Sequence, residues 1–150
     1  MERKIRLMII DDSAVYRNWL ITQLSKDEHL EIIGYATDAF DARKKIPALK
    51  PDVLTLDIEM PGMSGLDFLK ELLPRHPLPV ILVSSLNIKV FDALAAGAVD
   101  FVRKPDMNSH MSKDAFLSML ISKLIVAPQS KIRVPASQAS AGHLRPPYIR

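Results

Sequence analysis

Acidic, hydroxyl and basic side chains stand at the ends of several short apolar runs in this sequence. Asp11 and Asp12 follow one run, and Asp57 closes another. Clustered carboxylates repel one another, which raises the pKa of some of them and favours a bound cation. Oxygen ligands of this kind suit Mg²⁺. The sequence therefore predicts a magnesium site that includes Asp11, Asp12 and Asp57.

A serine and a lysine stand in equivalent places after two other runs. Ser84 follows the run 80–83, and Lys104 precedes Pro105 after a further run. Beside a metal ion, Asp57 would be the nucleophile toward a phosphoryl group, whose oxygens Lys104 and the Ser84 hydroxyl would hold. Each piece alone has a plainer interpretation, because an Asp-Ser pair often only caps a helix. The joint arrangement is what favours phosphoryl chemistry.

Strand-like and helical patterns alternate along the chain and would position these residues. The predicted strands are 4–10, 30–36, 53–57, 80–83 and 99–102. Helical spacing of apolar residues predicts one helix after each strand, the fourth at about 88–96 and the fifth at 116–124. Near-continuous apolar strands separated by helices indicate an α/β fold with a doubly wound, five-stranded parallel sheet and five helices. Its ligand site would lie at the carboxyl ends of the strands.

The second predicted helix is charged. It carries Phe40, Ile46 and Leu49 on its apolar positions. It should end near Lys50, because Pro51 disfavours helix in the residue before it.

Composition narrows the class of protein further. The chain has 150 residues, 48% of them hydrophobic, and no cysteine, so we expect one domain without disulfides or thiolate metal sites. The apolar run 5–10 is too short for a signal peptide or a membrane span. We therefore expect a cytoplasmic protein without membrane insertion.

Nucleotide-binding and hydrolase motifs are absent from the sequence. Its glycines form neither a nucleotide-binding fingerprint nor a P-loop, and no G-x-S-x-G elbow occurs. The histidines show no metal or triad spacing, so this chain holds no visible esterase residues.

The end of the chain differs in composition from the rest. Four of the 20 basic residues and no acid lie in 128–150, which leaves 16 basic against 17 acidic residues before it. The segment is rich in Pro, Ser and Ala without periodicity, which is typical of a linker. We predict a folded domain at 1–126 and a flexible linker or tail at 127–150. Four charges dispersed over this segment do not favour nucleic-acid binding.

The residues at the strand ends carry a family resemblance. With Asp11-Asp12, the string Asp57-Ile58-Glu59-Met60-Pro61-Gly62, Ser84 and Lys104-Pro105, the chain resembles the receiver domain of bacterial two-component response regulators, over about residues 4–125. The strings Asp11-Asp12-Ser13-Ala14, Val83-Ser84-Ser85-Leu86 and Gly97-Ala98-Val99-Asp100-Phe101-Val102 resemble the N-terminal receivers of chemotaxis protein-glutamate methylesterases. The flavodoxin-like sheet of such receivers agrees with the strand pattern.

The resemblance implies a self-catalysed phosphorylation of Asp57 by a phosphohistidine on a sensor histidine kinase. It implies Mg²⁺ on Asp12, Asp57 and the backbone carbonyl of Glu59, with Asp11 assisting through water. Ser84 would move toward the phosphoryl group and Phe101 would turn inward. The Lys104–Pro105 peptide bond would be cis.

Two outputs remain open from the sequence. The chain would be the regulatory fragment of a protein-glutamate methylesterase and glutaminase that acts on chemoreceptors, with phosphorylation relieving the hold on the esterase domain. Alternatively, it would be a stand-alone receiver that binds a partner when phosphorylated. The stretch 87–96 is about one helical turn shorter than this family leads us to expect.

Overall fold

The computed structural model describes residues 3–85, 90–130 and 132 of the chain. Its five strands are β1 (Ile5–Ile10), β2 (Leu30–Ala36), β3 (Val53–Asp57), β4 (Val80–Ser84) and β5 (Asp100–Arg103). They form one parallel sheet in the order β2-β1-β3-β4-β5.

Five helices connect and follow these strands, as the alternating pattern predicts. They are α1 (Ala14–Leu24), α2 (Ala39–Leu49), α3 (Gly65–Leu72), α4 (Val90–Ala95) and α5 (His110–Val126). Serine or aspartate side chains cap four of them by accepting a backbone N–H three residues ahead, which satisfies an otherwise unpaired donor. The caps of α1, α2, α3 and α5 are Ser13, Asp38, Ser64 and Ser109.

The sheet is covered on both faces, because neighbouring residues of each strand point to opposite sides. In β1, Met8 and Ile10 pack on the side of α2 and α3, together with Ala93 of α4. Leu7 and Ile9 pack on the opposite side, against residues of α1 and α5. The fold is therefore the predicted doubly wound sheet with five helices.

Several predicted boundaries differ from the structure, most of them by one residue. β1 begins at Ile5 rather than 4, β4 ends at Ser84 rather than 83, and β5 spans Asp100–Arg103 rather than 99–102. α5 differs most, since it begins at His110 rather than 116 and ends at Val126 rather than 124. The first turns of α5 carry few buried residues, so apolar spacing alone shows only its second half. The cap by Ser109, which accepts from the Ser112 N–H at 3.1 Å, marks the true start.

The predicted apolar face of α2 is wrong at one position. Phe40 is 51% exposed, while Ala39, Ala42 and Ile46 supply the buried face. The ring of Phe40 instead lies against Gly62, and the Arg43 guanidinium stacks on it at 5.3 Å from the ring centroid. Phe40 covers the loop after β3 and not the core.

The predicted boundary at residue 126 falls at the end of α5. A short 3₁₀ helix follows at Ala127–Gln129, and Ala127 is buried. The rest of the predicted tail, apart from Ser130 and Ile132, lies outside the described residues, as does the start of the predicted fourth helix. Among the described helices, none is both long and apolar enough to cross a membrane.

Candidate functional site

The strand register brings the predicted site residues to one edge of the sheet. Ile10 pairs with Leu56, so Asp11 follows beside Asp57. The pairing of β3 with β4 places the end of β4 next to Asp57, and Ser84 in turn pairs with Arg103, which precedes Lys104. Residues that are far apart in sequence therefore meet because four parallel strands end at the same level.

Asp11, Asp12, Asp57 and Lys104 form what we call the acidic pocket. One carboxylate oxygen of each of the three aspartates lies within 4.8 Å of the others. Asp11 and Asp57 are each only 2% exposed, whereas Asp12 is open to solvent. The pocket thus has two buried acids and one acid at its mouth.

Lys104 is the cation that faces both buried acids. Its Nζ lies 2.9 Å from Oδ2 of Asp11 and 3.4 Å from Oδ2 of Asp57. Its backbone N–H donates to the Ser84 carbonyl at 2.8 Å, which fixes the end of β5 against β4. The ammonium also lies 4.3 Å from the ring centroid of Tyr16. A cation on an aromatic face in a buried setting is held in place by the ring quadrupole.

The loops after β1 and β3 hold the two buried acids by backbone contacts. Oδ1 of Asp11 accepts from the Ser13 N–H at 2.8 Å, and the Arg17 guanidinium donates to the Asp11 carbonyl at 2.7 Å. Oδ1 of Asp57 accepts a longer bond of 3.3 Å from the Glu59 N–H. Each side chain consequently points into the pocket.

One lysine does not balance the charge of this pocket. Burial and the neighbouring charge of Asp11 raise the pKa of Asp57 to about 7, although Lys104 acts in the opposite direction. Burial also raises the pKa of Asp11. Burial alone would lower the pKa of Lys104, but its bond to Asp11 and the charges of both acids raise it. The pocket therefore has the charge and the oxygen donors that fit a divalent cation such as Mg²⁺.

Ser84 and Ser85 at the end of β4 and Phe101 on the neighbouring strand β5 form what we call the switch face. Ser84 is fully buried, and its hydroxyl donates to Oε2 of Glu59. Phe101 is half-buried and packs against the core on the side of α2 and α3. Phe101 is thus in contact with the core in this structure, and its predicted movement stays a prediction.

One expectation from the resemblance is wrong, and two contacts escaped the sequence reasoning. The Lys104–Pro105 peptide bond is trans, the isomer that X-Pro bonds favour by about 0.5–1 kcal/mol. The ring of Tyr16 over Lys104 was not foreseen, because helical spacing marks Tyr16 only as a core residue. The side chain of Glu59 was not foreseen either, since the motif assigns a role to its backbone alone.

The fold and the site together define a class of protein. The family model described as the response regulator receiver domain matches residues 7–115. The chain belongs to the response regulator receiver domain family.

Within that family, the chain is similar to the receivers of chemotaxis methylesterases. The crystal structure of the response regulator domain of Thermotoga maritima CheB matches with a TM-score of 0.78 and 35% identity, covering 86% of this chain and 99% of that one. The structure of a CheX-CheY-BeF3-Mg+2 complex from Borrelia burgdorferi matches with a TM-score of 0.66 and 28% identity, covering 85% and 90%. The family resemblance read from the sequence is confirmed.

Curated relatives extend the comparison to longer proteins. A protein-glutamate methylesterase/protein-glutamine glutaminase of Syntrophomonas wolfei is 49% identical over 87% of this chain, and one of Syntrophotalea carbinolica is 48% identical over 88%. The chain spans 38% of the length of each of these relatives.

Proposed function

We propose that Asp57 accepts a phosphoryl group from a phosphohistidine on a sensor histidine kinase, and that the domain thereby switches its output. The observation that carries this proposal is the acidic pocket, in which buried Asp57 shares Lys104 with Asp11. A nucleophilic carboxylate, a cation and a cluster of further acids are the parts that phosphoryl transfer requires.

Each residue of the pocket has a distinct role in this proposal. Mg²⁺ would be held by Asp12, Asp57 and the backbone carbonyl of Glu59, with Asp11 acting through water, and it would neutralise charge on the phosphoryl oxygens. The Borrelia burgdorferi relative, whose complex contains Mg²⁺, supports this assignment. An oxygen of Asp57 attacks phosphorus in line while the bond from phosphorus to the leaving group breaks.

Lys104 and Ser84 complete the transfer in this proposal. Lys104 already lies between the two buried acids, so its ammonium can bind a phosphoryl oxygen as the acyl phosphate on Asp57 forms. The Ser84 hydroxyl would donate to another oxygen, and Phe101 would follow it by turning further inward.

Incubation with acetyl phosphate tests the acceptor. In the presence of Mg²⁺, intact-protein mass spectrometry should show one added phosphoryl group on the wild type and none on Asp57→Ala. Asp67→Ala, which removes an exposed acid on α3, is the matched control and should react like the wild type. Equal incorporation in wild type and Asp57→Ala would refute the assignment, and incorporation unaffected by EDTA would refute the metal.

The output that we propose is control of a protein-glutamate methylesterase and glutaminase in the cytoplasm, with chemoreceptors as the indirect target. The curated relatives support it, because they carry these activities and align with this chain over most of its length. α4 and α5, the helices that pack on β5, expose Phe91 and Met119 and offer an apolar surface to an esterase domain.

Sequencing the gene beyond the codon for Arg150 separates this output from a stand-alone receiver. A reading frame that continues into an esterase domain would support the methylesterase. A stop codon would contradict the regulatory fragment and favour a receiver that binds a separate partner.

A further inference from the structure

The side chain of Glu59 reaches from the loop after β3 to the end of β4. Its Oε2 accepts from the Ser84 hydroxyl, while its Oε1 accepts from the Ser85 hydroxyl at 3.0 Å and from the Ser85 N–H at 3.3 Å. One carboxylate thus binds three donors on two successive residues of the switch face. Bonds to a charged acceptor are about twice as strong as those between neutral groups.

These donors include the hydroxyl that the proposed function needs for the phosphoryl group. A carboxylate and a phosphoryl group both present negatively charged oxygens, so they compete for the same donors. The Glu59 carboxylate also adds negative charge close to Asp57, and this contributes to the raised pKa of Asp57. A phosphoryl group arriving at Asp57 would meet that charge as well.

We propose that the Glu59 side chain is a built-in competitor of the phosphoryl group, which holds Ser84 and Ser85 before phosphorylation and slows the reaction of Asp57. This inference rests on the proposed function of Asp57. It assigns to the Glu59 side chain a role separate from that of its backbone carbonyl.

The competing contacts exchange as the phosphoryl group transfers. With acetyl phosphate, the bond from phosphorus to the acetyl oxygen breaks, acetate leaves with the electron pair, and a bond forms from phosphorus to an Asp57 oxygen. The Ser84 hydroxyl keeps its proton, and its O–H hydrogen bond goes to a phosphoryl oxygen instead of Glu59. Glu59 is half-buried at the surface, so its carboxylate can turn into solvent without crossing the core.

Amide hydrogen exchange in EDTA tests the contact without metal or phosphate. The Ser85 N–H should exchange several-fold faster in Glu59→Ala than in the wild type, because it loses its acceptor. Glu71→Ala is the matched control, since Glu71 bonds Arg43 on α2 and the structure places none of its bonds at β4. Unchanged exchange at Ser85 in Glu59→Ala would overturn the proposal.

The rate of phosphorylation by acetyl phosphate and Mg²⁺ tests the competition. We expect Glu59→Ala to react about tenfold faster than the wild type, equivalent to about 1.4 kcal/mol in the barrier. Glu59→Gln keeps the length of the side chain without its charge, and should react at a rate between the two. A rate of Glu59→Ala at or below that of the wild type would overturn the proposal.

The two proposals fail in different ways. If the wild type gains no phosphoryl group, or if Asp57→Ala gains as much, the acceptor assignment fails. If Asp57 is the acceptor but Glu59→Ala and Glu71→Ala react equally fast, the acceptor stands and the competitor is refuted.

Discussion

The acidic pocket lies at one end of β5 and the Asp100–Lys123 ion pair at the other, and the two are built in different ways. In the pocket, Asp11 and Asp57 are almost fully buried and share Lys104, so each charge is fixed by another charge. At the start of β5, Asp100 bonds Lys123 of α5 at 2.7 Å, and the two side chains are 42% and 27% exposed. Buried charges cannot exchange partners with water at low cost, whereas half-exposed groups can.

The charged groups of the two regions therefore differ in what stabilises them. The pocket stores unfavourable electrostatic energy that a bound cation can relieve. The Asp100–Lys123 pair is partly exposed, so water can replace either partner at low cost. Substitutions in the two regions should therefore differ in size and in pH dependence.

Removal of the Asp57 charge should have the largest effect on stability. The pKa of Asp57 is about 7 in the folded state against 3.8 for the ordinary side chain. The folded protein then binds more protons than the unfolded chain between these values, so stability falls as pH rises from about 4 to 7. The shift corresponds to a loss of up to about 4 kcal/mol in the wild type above pH 7.

Asp57→Asn should remove most of this pH dependence. In EDTA, urea unfolding at pH 8 should show the variant to be more stable than the wild type, with the difference shrinking at pH 4. Asp67→Asn serves as a control on the surface and should follow the wild type. A difference that does not change with pH would contradict the buried charge.

Gly65→Ala should have the next largest effect, because it alters the wall of the pocket. A Cβ at Gly65 would lie 2.2 Å from the backbone oxygen of Asp57 and 2.9 Å from the Cα of Ile58. The backbone atoms of buried Asp57 and Ile58 can move only at a large energetic cost. We therefore expect the free energy of unfolding, measured in urea, to fall by about 3 kcal/mol.

Gly34→Ala is the matched control for this prediction. Its Cβ would meet only the Cδ1 atom of Leu49, at 2.8 Å, and that side-chain end can rotate away. The loss in free energy of unfolding, measured in urea, should be clearly smaller for Gly34→Ala than for Gly65→Ala. Equal costs for the two substitutions would show that the loop after β3 is looser than the structure indicates.

Lys123→Met should have the smallest effect, since it acts on the ion pair at the start of β5. The ion pair with Asp100 is partly exposed, and such pairs contribute about 0.2–1 kcal/mol. The free energy of unfolding, measured in urea, should therefore fall by less than about 1 kcal/mol relative to the wild type. In 1 M salt this difference between variant and wild type should be smaller still. Lys123→Arg keeps the charge and should match the wild type. A cost as large as that of Gly65→Ala would mean that the two regions are equally rigid.

Much of the pocket could be predicted because its residues follow apolar strands directly. In a parallel sheet the carboxyl ends of strands share one edge, so Asp11, Asp57 and Lys104 had to meet once the strands were recognised. The prediction that Phe40 belongs to the buried face of α2 was wrong. Helical spacing shows which positions are apolar, but it does not show that small residues such as Ala39 and Ala42 supply the buried face.

The sequence by itself determined the sheet, its order of elements and the acids and lysine at its edge, because these depend on local periodicity and on strand ends. Only the tertiary structure decided what the Glu59 and Tyr16 side chains contact. Glu59 bonds β4 and Tyr16 lies over Lys104 across distances in sequence that no local pattern spans. Such contacts depend on the angles at which loops leave the sheet, and these are set by packing of the whole domain.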